Sequence, residues 1–298
     1  MFLRIGAQAL AIGLAFAAGS GRLDDFSGPR PVEILGYSGS AMEPFVSRDG
    51  RYLLFNDFDE ARGDKDLEWA ERAGGGSFRY RGPIVGVNTR AVEGAPSLDR
   101  DGTLYFISTR SYDRTLSTVY RASFRNGRAG GVRLVPGLAE PHRGLVIFDA
   151  EISADGRQLF CAEGDFSAGG EPKSATIFVA ERDRDGLGFT RLRESARLLA
   201  NVIAGALQYA PSTSADGLEL FFTSVSRDSL DTPVFSIERA TRPRTDVPFG
   251  KPRRITAING FSEGPSISSD GLSLYFHHRV GRNFRIYRVT RDSAHSRE

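Results

Sequence analysis

The chain has 298 residues, of which 40% are hydrophobic and 26% charged, a composition typical of a folded domain with an apolar core. Such a composition excludes disorder for most of the chain. Lysine and arginine number 39 against 37 aspartates and glutamates, so the formal net charge is only +2. This charge gives no whole-chain electrostatic basis for binding nucleic acid or membranes.

The amino terminus has the pattern of a targeting segment. Arg4 precedes an uncharged apolar run over residues 5–18, and small residues suited to cleavage end the run. The run is shorter than the roughly 20 apolar residues that a spanning helix needs. We therefore predict a signal peptide over residues 1–18, a leader over 19–30 and a periplasmic or secreted protein. An uncleaved membrane anchor is the alternative.

The rest of the chain contains five copies of one short pattern. Each copy begins with proline or alanine, continues to an Asp-Gly pair and ends in an apolar run. An Asp-Gly pair between two β-rich runs is the strongest short signal for a β-hairpin. Hairpins are therefore predicted around residues 44–50, 96–102, 150–156, 211–217 and 265–271.

Further strands follow each hairpin. Third strands are predicted at 67–71, 118–122, 176–180, 234–238 and 285–289, and fourth strands at 84–87, 132–135, 197–200 and 254–258. The fifth copy lacks a fourth strand, which residues 31–35 can supply by pairing with it, and this pairing removes the open edges. The prediction is an all-β single domain over 31–298: a five-bladed β-propeller of four-stranded antiparallel blades, closed by the N-terminal strand.

Cys161 is the only cysteine, so the chain can form no intrachain disulfide. It lies in the apolar run of the third copy, at the place that Phe55 or Phe106 occupies in other copies. We therefore expect a small core residue and not a nucleophile.

The repeated pattern Pro-x-x-Ser-x-Asp-Gly, followed by Leu-Tyr-Phe and then Ile-Tyr-x-Ala-x-Arg, resembles the WD-like repeat of TolB-type β-propellers. The resemblance covers nearly all of the expected mature chain. It implies a stand-alone propeller without the N-terminal domain of TolB, and a binding role more than a catalytic one, although fold alone does not fix activity.

In a four-stranded blade, the inner strand begins and the second strand ends on one side, which we call the loop face. The Asp-Gly turns lie on the opposite side, which we call the turn face. Arginines concentrate in the loops predicted for the turn face, which predicts a basic side. They are Arg72, Arg79, Arg81, Arg125, Arg128, Arg182, Arg184, Arg239, Arg242 and Arg244.

The loop face is expected to collect acids. Those before the inner strands are Glu43, Glu93, Asp149 and Glu263, and those after the second strands are Asp57, Asp59, Glu163 and Asp165. The inner strands line the central channel of a propeller, so the first four acids should ring its mouth. Carboxylates that close together raise one another's pKa values unless a cation offsets the repulsion. The ring therefore predicts a site for Ca²⁺ or a cationic ligand. Alternatively, each acid accepts hydrogen bonds within its own loop or pairs with an arginine such as Arg110.

Histidines are also predicted on the loop face. His277 and His278 are adjacent on one strand, so their side chains point in opposite directions and cannot both bind one ion. One of the two could join His142 and an acid in a zinc or manganese site, and we take His278 as that candidate. Surface histidines without a ligand are the simpler interpretation.

Two functions from different classes fit these observations. The first is an exported, monomeric, non-catalytic binding module that recognises a protein or a cell-envelope component through the loop face, with no nucleic-acid partner. The second is a carbohydrate-active enzyme that uses two of the mouth carboxylates as acid and base. The single tryptophan, Trp69, is expected in an outer strand and not in a sugar-binding pocket.

Overall fold

The computed structural model describes residues 26–58, 65–205 and 207–292, and its regular structure is almost entirely β. The predicted signal peptide, most of the predicted leader and Asp59 lie outside these residues. Two short strands come first, β1 (Arg30–Pro31) and β2 (Ile34–Leu35). In the described ranges, no helix is long and apolar enough to cross a membrane.

Four-stranded antiparallel sheets that resemble propeller blades follow, numbered here sheets 1 to 5 in chain order. Sheet 1 contains β3 (Met42–Val46), β4 (Tyr52–Asn56), β5 (Leu67–Gly74) and β6 (Ser77–Pro83). Sheet 2 contains β7 (Glu93–Leu98), β8 (Thr103–Ser108), β9 (Val119–Arg125) and β10 (Arg128–Leu134), with helix α1 (Tyr112–Thr115) after β8. Sheet 3 contains β11 (Leu145–Ile152), β12 (Gln158–Asp165), β13 (Ala175–Arg182) and β14 (Phe189–Arg191), followed by helix α2 (Ser195–Leu198).

Sheet 4 contains β15 (Leu207–Thr213), β16 (Glu219–Arg227), β17 (Pro233–Thr241) and β18 (Arg253–Arg254). Sheet 5 contains β19 (Ser262–Ile267), β20 (Ser273–Val280) and β21 (Asn283–Thr290), and β1 pairs with β21 as its fourth strand. One parallel bridge between Ala175 and Leu207 links sheets 3 and 4. Strand order within each sheet thus follows chain order, except for the two N-terminal strands: β1 completes sheet 5, and β2 adds to the edge of sheet 1 beside β6.

The inner strands β3, β7, β11, β15 and β19 are neighbours in that order, and β19 also contacts β3. Buried apolar clusters fill the space between successive sheets, and one of them joins Tyr275 and Ile286 of sheet 5 to Phe55 of sheet 1. Burial of this apolar surface is the main force that holds the sheets together. Cys161 is fully buried between sheets 2 and 3, which confirms its predicted core position.

The five Asp-Gly turns are confirmed, each between two antiparallel strands. In the first turn, Asp49 Oδ1 accepts from Ser47 Oγ at 2.6 Å and from the Arg51 amide at 3.0 Å, while Gly50 N donates to the Ser47 carbonyl at 2.7 Å. The five turn glycines have φ between 69° and 82°, a region that residues with a Cβ rarely adopt. Asp155, Asp216 and Asp270 accept in the same way, so these aspartates serve their turns, whereas in the second turn Asp99 accepts the Asp101 and Thr103 amides.

Gly156 provides a test of this turn geometry. With φ of 72°, it sits in the left-handed region, so Gly156→Ala should destabilise the protein by about 1–2 kcal/mol. Gly28→Ala is the matched control, because a Cβ there meets nothing within 4 Å and no positive φ is required. Urea unfolding of both variants measures the difference, and equal stability would show that the turn tolerates other conformations.

Two strand predictions are wrong in detail. Residues 31–35 do not form one strand: β1 ends at Pro31, which has no amide hydrogen for a ladder, and β2 runs parallel to β6 of sheet 1. Along the chain, the fourth strands also begin sooner after the third strands than predicted. Residues 197–200 overlap α2 instead of forming a strand. Leu198 and Leu199 are buried there, and a short apolar run does not distinguish helix from strand.

In four of the five sheets, an arginine at or near the end of the third strand links the turn to a phenylalanine in the fourth strand or in the segment before it. Its Nε donates to the carbonyl of the turn glycine, and its guanidinium lies over a phenylalanine ring, a cation–π contact. The ring-centroid distances are 4.7 Å for Arg72–Phe78, 4.9 Å for Arg182–Phe189, 4.2 Å for Arg242–Phe249 and 5.1 Å for Arg291–Phe26. We call this arrangement the turn clamp.

The clamp of sheet 5 uses a residue from the opposite end of the chain. Phe26 is only 7% exposed and also packs edge-on against Phe221 at 6.2 Å. The next residue, Ser27, donates its amide to the Thr290 carbonyl at 2.7 Å. The folded part therefore includes Phe26, which the sequence analysis assigned to the leader.

Candidate functional site

Each inner strand changes register near its start, on the loop face, and the change redirects backbone groups. At four of these bulges the residue before the proline has a positive φ, namely Glu43, Ala95, Ala210 and Gly264. A bulge leaves an amide outside the ladder and re-aims its side chain. Here carboxylates of the neighbouring sheets satisfy two of these amides: Glu43 Oε2 accepts from Ala95 N at 2.8 Å, and Asp149 Oδ2 from Ala210 N at 3.1 Å.

These bulges surround a narrow cavity of about 40 Å³ that is lined by residues of all five inner strands. Six polar side chains gather around it, and we call them the central cluster: Glu43, Lys65, Asp149, Tyr209, Glu263 and His277. Because these side chains come from different sheets, the cluster forms only when the sheets pack together.

An ion pair forms one side of the central cluster. Lys65 Nζ lies 2.7 Å from Glu43 Oε1, and the two side chains are only 22% and 18% exposed. Burial alone would raise the pKa of Glu43, but the ammonium group of Lys65 outweighs this and lowers it. Burial likewise opposes the charge on Lys65, yet the nearby carboxylates raise its pKa. Both groups are therefore charged at neutral pH.

A hydrogen-bonded chain forms the other side. Tyr209 donates its hydroxyl to Glu263 Oε1, and His277 Nε2 lies 3.3 Å from Glu263 Oε2. His277 Nδ1 accepts from the Glu43 amide at 3.2 Å, so the ring carries its proton on Nε2 and donates to Glu263. Burial and the charge of Glu263 raise the pKa of Tyr209.

Asp149 differs from its neighbours, because burial and the charge of Glu43 raise its pKa well above the ordinary value. Its carboxyl therefore holds a proton under conditions in which Glu43 is ionised. Asp149 Oδ2 accepts the Ala210 amide, whereas Asp149 Oδ1 has no hydrogen-bond partner among the residues that the structure describes. Asp149 is thus the mouth acid with an oxygen left unbonded by the described residues.

Aromatic rings flank the central cluster on two sides of the loop face. Phe148 packs against Tyr209 at 5.7 Å and against Phe166 at 5.4 Å. On sheets 4 and 5, the ring centroids of Phe235 and Phe261 are 4.0 Å apart, and Phe284 lies 5.8 Å from Phe261. The mouth therefore combines polar groups with partly exposed aromatic surface.

Three of the four predicted mouth acids, Glu43, Asp149 and Glu263, lie in the central cluster. Glu93 does not: it is fully buried and accepts hydrogen bonds from Thr89, Ser108 and Arg110. It lies two residues before the bulge, where it faces the preceding loop. Glu93 therefore matches the alternative interpretation, in which an acid is bound within its own loop or by an arginine.

The other candidates are spread over the loop face. Asp57 accepts the Asp66 amide at 2.7 Å, Glu163 pairs with Arg191 at 2.6 Å, and exposed His142 lies 3.2 Å from the Arg143 carbonyl through Nδ1. His278 Nδ1 lies 2.9 Å from Ser262 Oγ, and its ring packs on Tyr287. Strand alternation thus places His277, and not His278, in the central cluster.

Among residues 26–58, 65–205 and 207–292, no group of three or more histidine, cysteine or acidic side chains could hold a metal ion. The positive charge beside the mouth carboxylates is the ammonium group of Lys65.

The sequence pointed to neither Lys65 nor Tyr209 as a site residue, and of the two adjacent histidines the candidate chosen was His278 in place of His277. Lys65 had one available signal, since it is one of only three lysines among 39 basic residues. The position directly before the repeated proline was a second available signal for the site, because the bulges occur at that position. Tyr209 and His277 carry no pattern of their own, and only the packing of sheets 4, 5 and 1 brings them together.

No protein-family profile matches the sequence, and no curated protein is similar to it. Among solved structures, the chain is similar to a glycoside hydrolase with a TM-score of 0.62 and 11% identity, over 89% of this chain and 92% of that one. It is also similar to Zg3597, a family 117 glycoside hydrolase from Zobellia galactanivorans, with a TM-score of 0.58 and 12% identity over 91% and 92%.

TolB from Acinetobacter baumannii is a more distant match, with a TM-score of 0.46 and 15% identity over 85% of this chain. The chain spans about half of that protein, 55% of its length. At these identities the likenesses to the two glycoside hydrolases describe the fold alone: this chain has the β-propeller-like fold of proteins with different functions.

Proposed function

We propose that this chain is an exported, non-catalytic, closed five-bladed β-propeller that binds a cell-envelope glycan through its loop face. Closure is supported by three features: β19 contacts β3, a buried cluster joins sheets 5 and 1, and Phe26 completes the clamp of sheet 5. Export rests on the apolar run of residues 5–18.

One observation carries the choice of binding over catalysis. A glycosidase needs two carboxyl groups that are free to act on the substrate. Here both oxygens of Glu43 are engaged, by Lys65 and the Ala95 amide, and both oxygens of Glu263 are engaged, by Tyr209 and His277. Only Asp149 keeps an oxygen without a partner among the described residues. This engagement of the carboxylates favours binding over catalysis at the mouth.

The chemistry of the mouth suits a sugar. Glu43 and Lys65 neutralise each other, and the Asp149 carboxyl, whose pKa is raised by burial and by Glu43, can donate a hydrogen bond to a hydroxyl group when it is protonated. Phe148 and Tyr209 offer aromatic surface beside it, against which the apolar side of a sugar ring can pack. Neutral polar groups next to aromatic rings favour an uncharged, hydroxyl-rich ligand.

Co-sedimentation with purified peptidoglycan sacculi tests this proposal, with reducing sugar release measured in the same tubes. Tyr209→Leu should weaken binding at least about fivefold, since it removes aromatic and hydroxyl contacts. Asp149→Asn should bind like the wild type within about twofold, because the amide also donates a hydrogen bond. No sample should release reducing sugar.

Arg244→Ala is the matched control, since Arg244 is exposed on the turn face and forms its ion pair with Asp246, two residues away. Thermal unfolding of each variant separates loss of binding from loss of fold. Sacculi that bind the wild type and Tyr209→Leu equally, or that bind neither, would refute a glycan site at the mouth.

A glycoside hydrolase is the second candidate, and one observation favours it. The pKa values of Asp149 and Glu43 are shifted in opposite directions, up and down, as in a general acid and its partner carboxylate. Asp149 would then protonate the leaving group. Release of reducing sugar by the wild type, and its loss in Asp149→Asn, would support this candidate over simple binding.

A further inference from the structure

A second cavity lies on the loop face of sheet 3, against the loop that joins sheets 2 and 3 and away from the central cluster. Its volume is about 370 Å³, within the range of about 300–1,000 Å³ typical of small-molecule sites. Leu145 and Ile147 of β11, Phe178 of β13 and the apolar residues of loop 137–141 form about half of its lining. Its polar wall consists of Glu140, Glu163 and Arg191.

The charges of this wall do not balance. Arg191 donates to both oxygens of Glu163, at 2.9 Å and 2.6 Å, and its guanidinium lies 3.6 Å from the ring centroid of Phe178. The guanidinium group of Arg191 therefore neutralises Glu163. The Glu140 side chain is 5% exposed, lies 3.8 Å from Arg191 and shares a hydrogen bond with the Glu163 carboxyl group, so the wall holds two acids against one cation.

We propose that this cavity binds a small organic cation with an apolar body, whose ammonium group pairs with Glu140 and Glu163. The apolar lining accommodates the body, and the second carboxylate supplies the charge that a cation complements. The site is separate from the mouth and does not depend on the glycan proposal.

The protonation of Glu140 gives the proposal a specific signature. Burial and the charge of Glu163 raise the pKa of Glu140 to about 7, opposed by Arg191 and His142. Buried Cys161 lies behind the wall and keeps its proton, because burial raises its pKa. A bound ammonium group would favour ionised Glu140, so binding should release a proton and strengthen as the pH rises through the pKa of Glu140.

Isothermal titration with benzylamine tests this, and benzyl alcohol is the neutral control ligand. We expect benzylamine to bind at least about tenfold more tightly than benzyl alcohol at about pH 8. Its affinity should fall at least about threefold at about pH 6, where the proton competes. Titrations in two buffers of different ionisation enthalpy should show proton release by the wild-type protein.

Glu140→Gln should lower the affinity for benzylamine at least about tenfold and remove its pH dependence. Glu181→Gln, an exposed change on β13 of the same sheet, should leave both unchanged. If Glu140→Gln fails to fold, proton release by the wild-type protein decides whether the proposal holds. Equal affinity for the amine and the alcohol, no amine binding, or binding without proton release would overturn the proposal.

Discussion

Lys65→Met is expected to destabilise the protein by about 3–5 kcal/mol, the usual cost of removing one member of a buried ion pair. The change leaves Glu43 buried without its 2.7 Å partner and removes the positive charge beside Asp149 and Glu263. The effect is large because no arginine contacts Glu43 among the residues that the structure describes. Urea unfolding at neutral pH measures it.

The pH dependence of this loss has a definite direction. In the wild type, Lys65 lowers the pKa of Glu43, so the pair stabilises the fold above the unfolded-state pKa and loses this contribution as the pH falls. In Lys65→Met, Glu43 takes up a proton more readily. The difference between variant and wild type should therefore shrink as the pH is lowered from about 8 to about 5.

Two further variants test the cause. Lys173→Met, at an exposed lysine, should change stability by no more than about 0.5 kcal/mol. Adding Glu43→Gln to Lys65→Met should recover at least about 2 kcal/mol, because it removes the unpaired buried charge. A Lys65→Met protein as stable as Lys173→Met would show that Lys65 is not the counter-charge of the cluster.

Phe26→Ala should cost about 3 kcal/mol or more, as expected for truncating a buried phenylalanine. Phe26 packs against Phe221 and lies under Arg291, so the loss affects sheets 4 and 5 together. Because these contacts join the two ends of the chain, the midpoint of unfolding should shift for the whole domain in one transition. Thermal and urea unfolding measure both quantities.

Phe58→Ala is the matched control for Phe26→Ala, since Phe58 is 36% exposed. It should change stability by at most about 0.5 kcal/mol. If Phe26→Ala behaves like this control, the N-terminal segment frays independently and does not hold the sheets together.

Local sequence signals were sufficient for the repeated architecture. An Asp-Gly pair needs only its own turn to form, so each hairpin could be located from a few residues around Gly50 or Gly156. Strand boundaries were less predictable. Pro31 ended a predicted strand early, and Leu198 and Leu199 became part of a helix, because tertiary packing decides between the options that short apolar runs leave open.

The candidate site was predictable only in part, because it is assembled across sheets. Topology placed Glu43, Asp149 and Glu263 at one end of the inner strands, and the structure brings these three together. Glu93 has the same residue type and nearly the same position, but the bulge at Ala95 leaves it in a separate network. A register difference of one or two residues decides which acid faces the centre.

The clamp between Arg291 and Phe26 also determines the face of the domain at which a tether or a fused module would be joined. Arg291 donates to the Gly271 carbonyl, so both described ends of the chain lie beside an Asp-Gly turn. The central cluster lies at the opposite ends of the inner strands. A tether placed before Phe26, or a fused module placed after Asp292, would therefore hold the domain by its turn face. The mouth would then point away from the anchoring surface, toward the surrounding space.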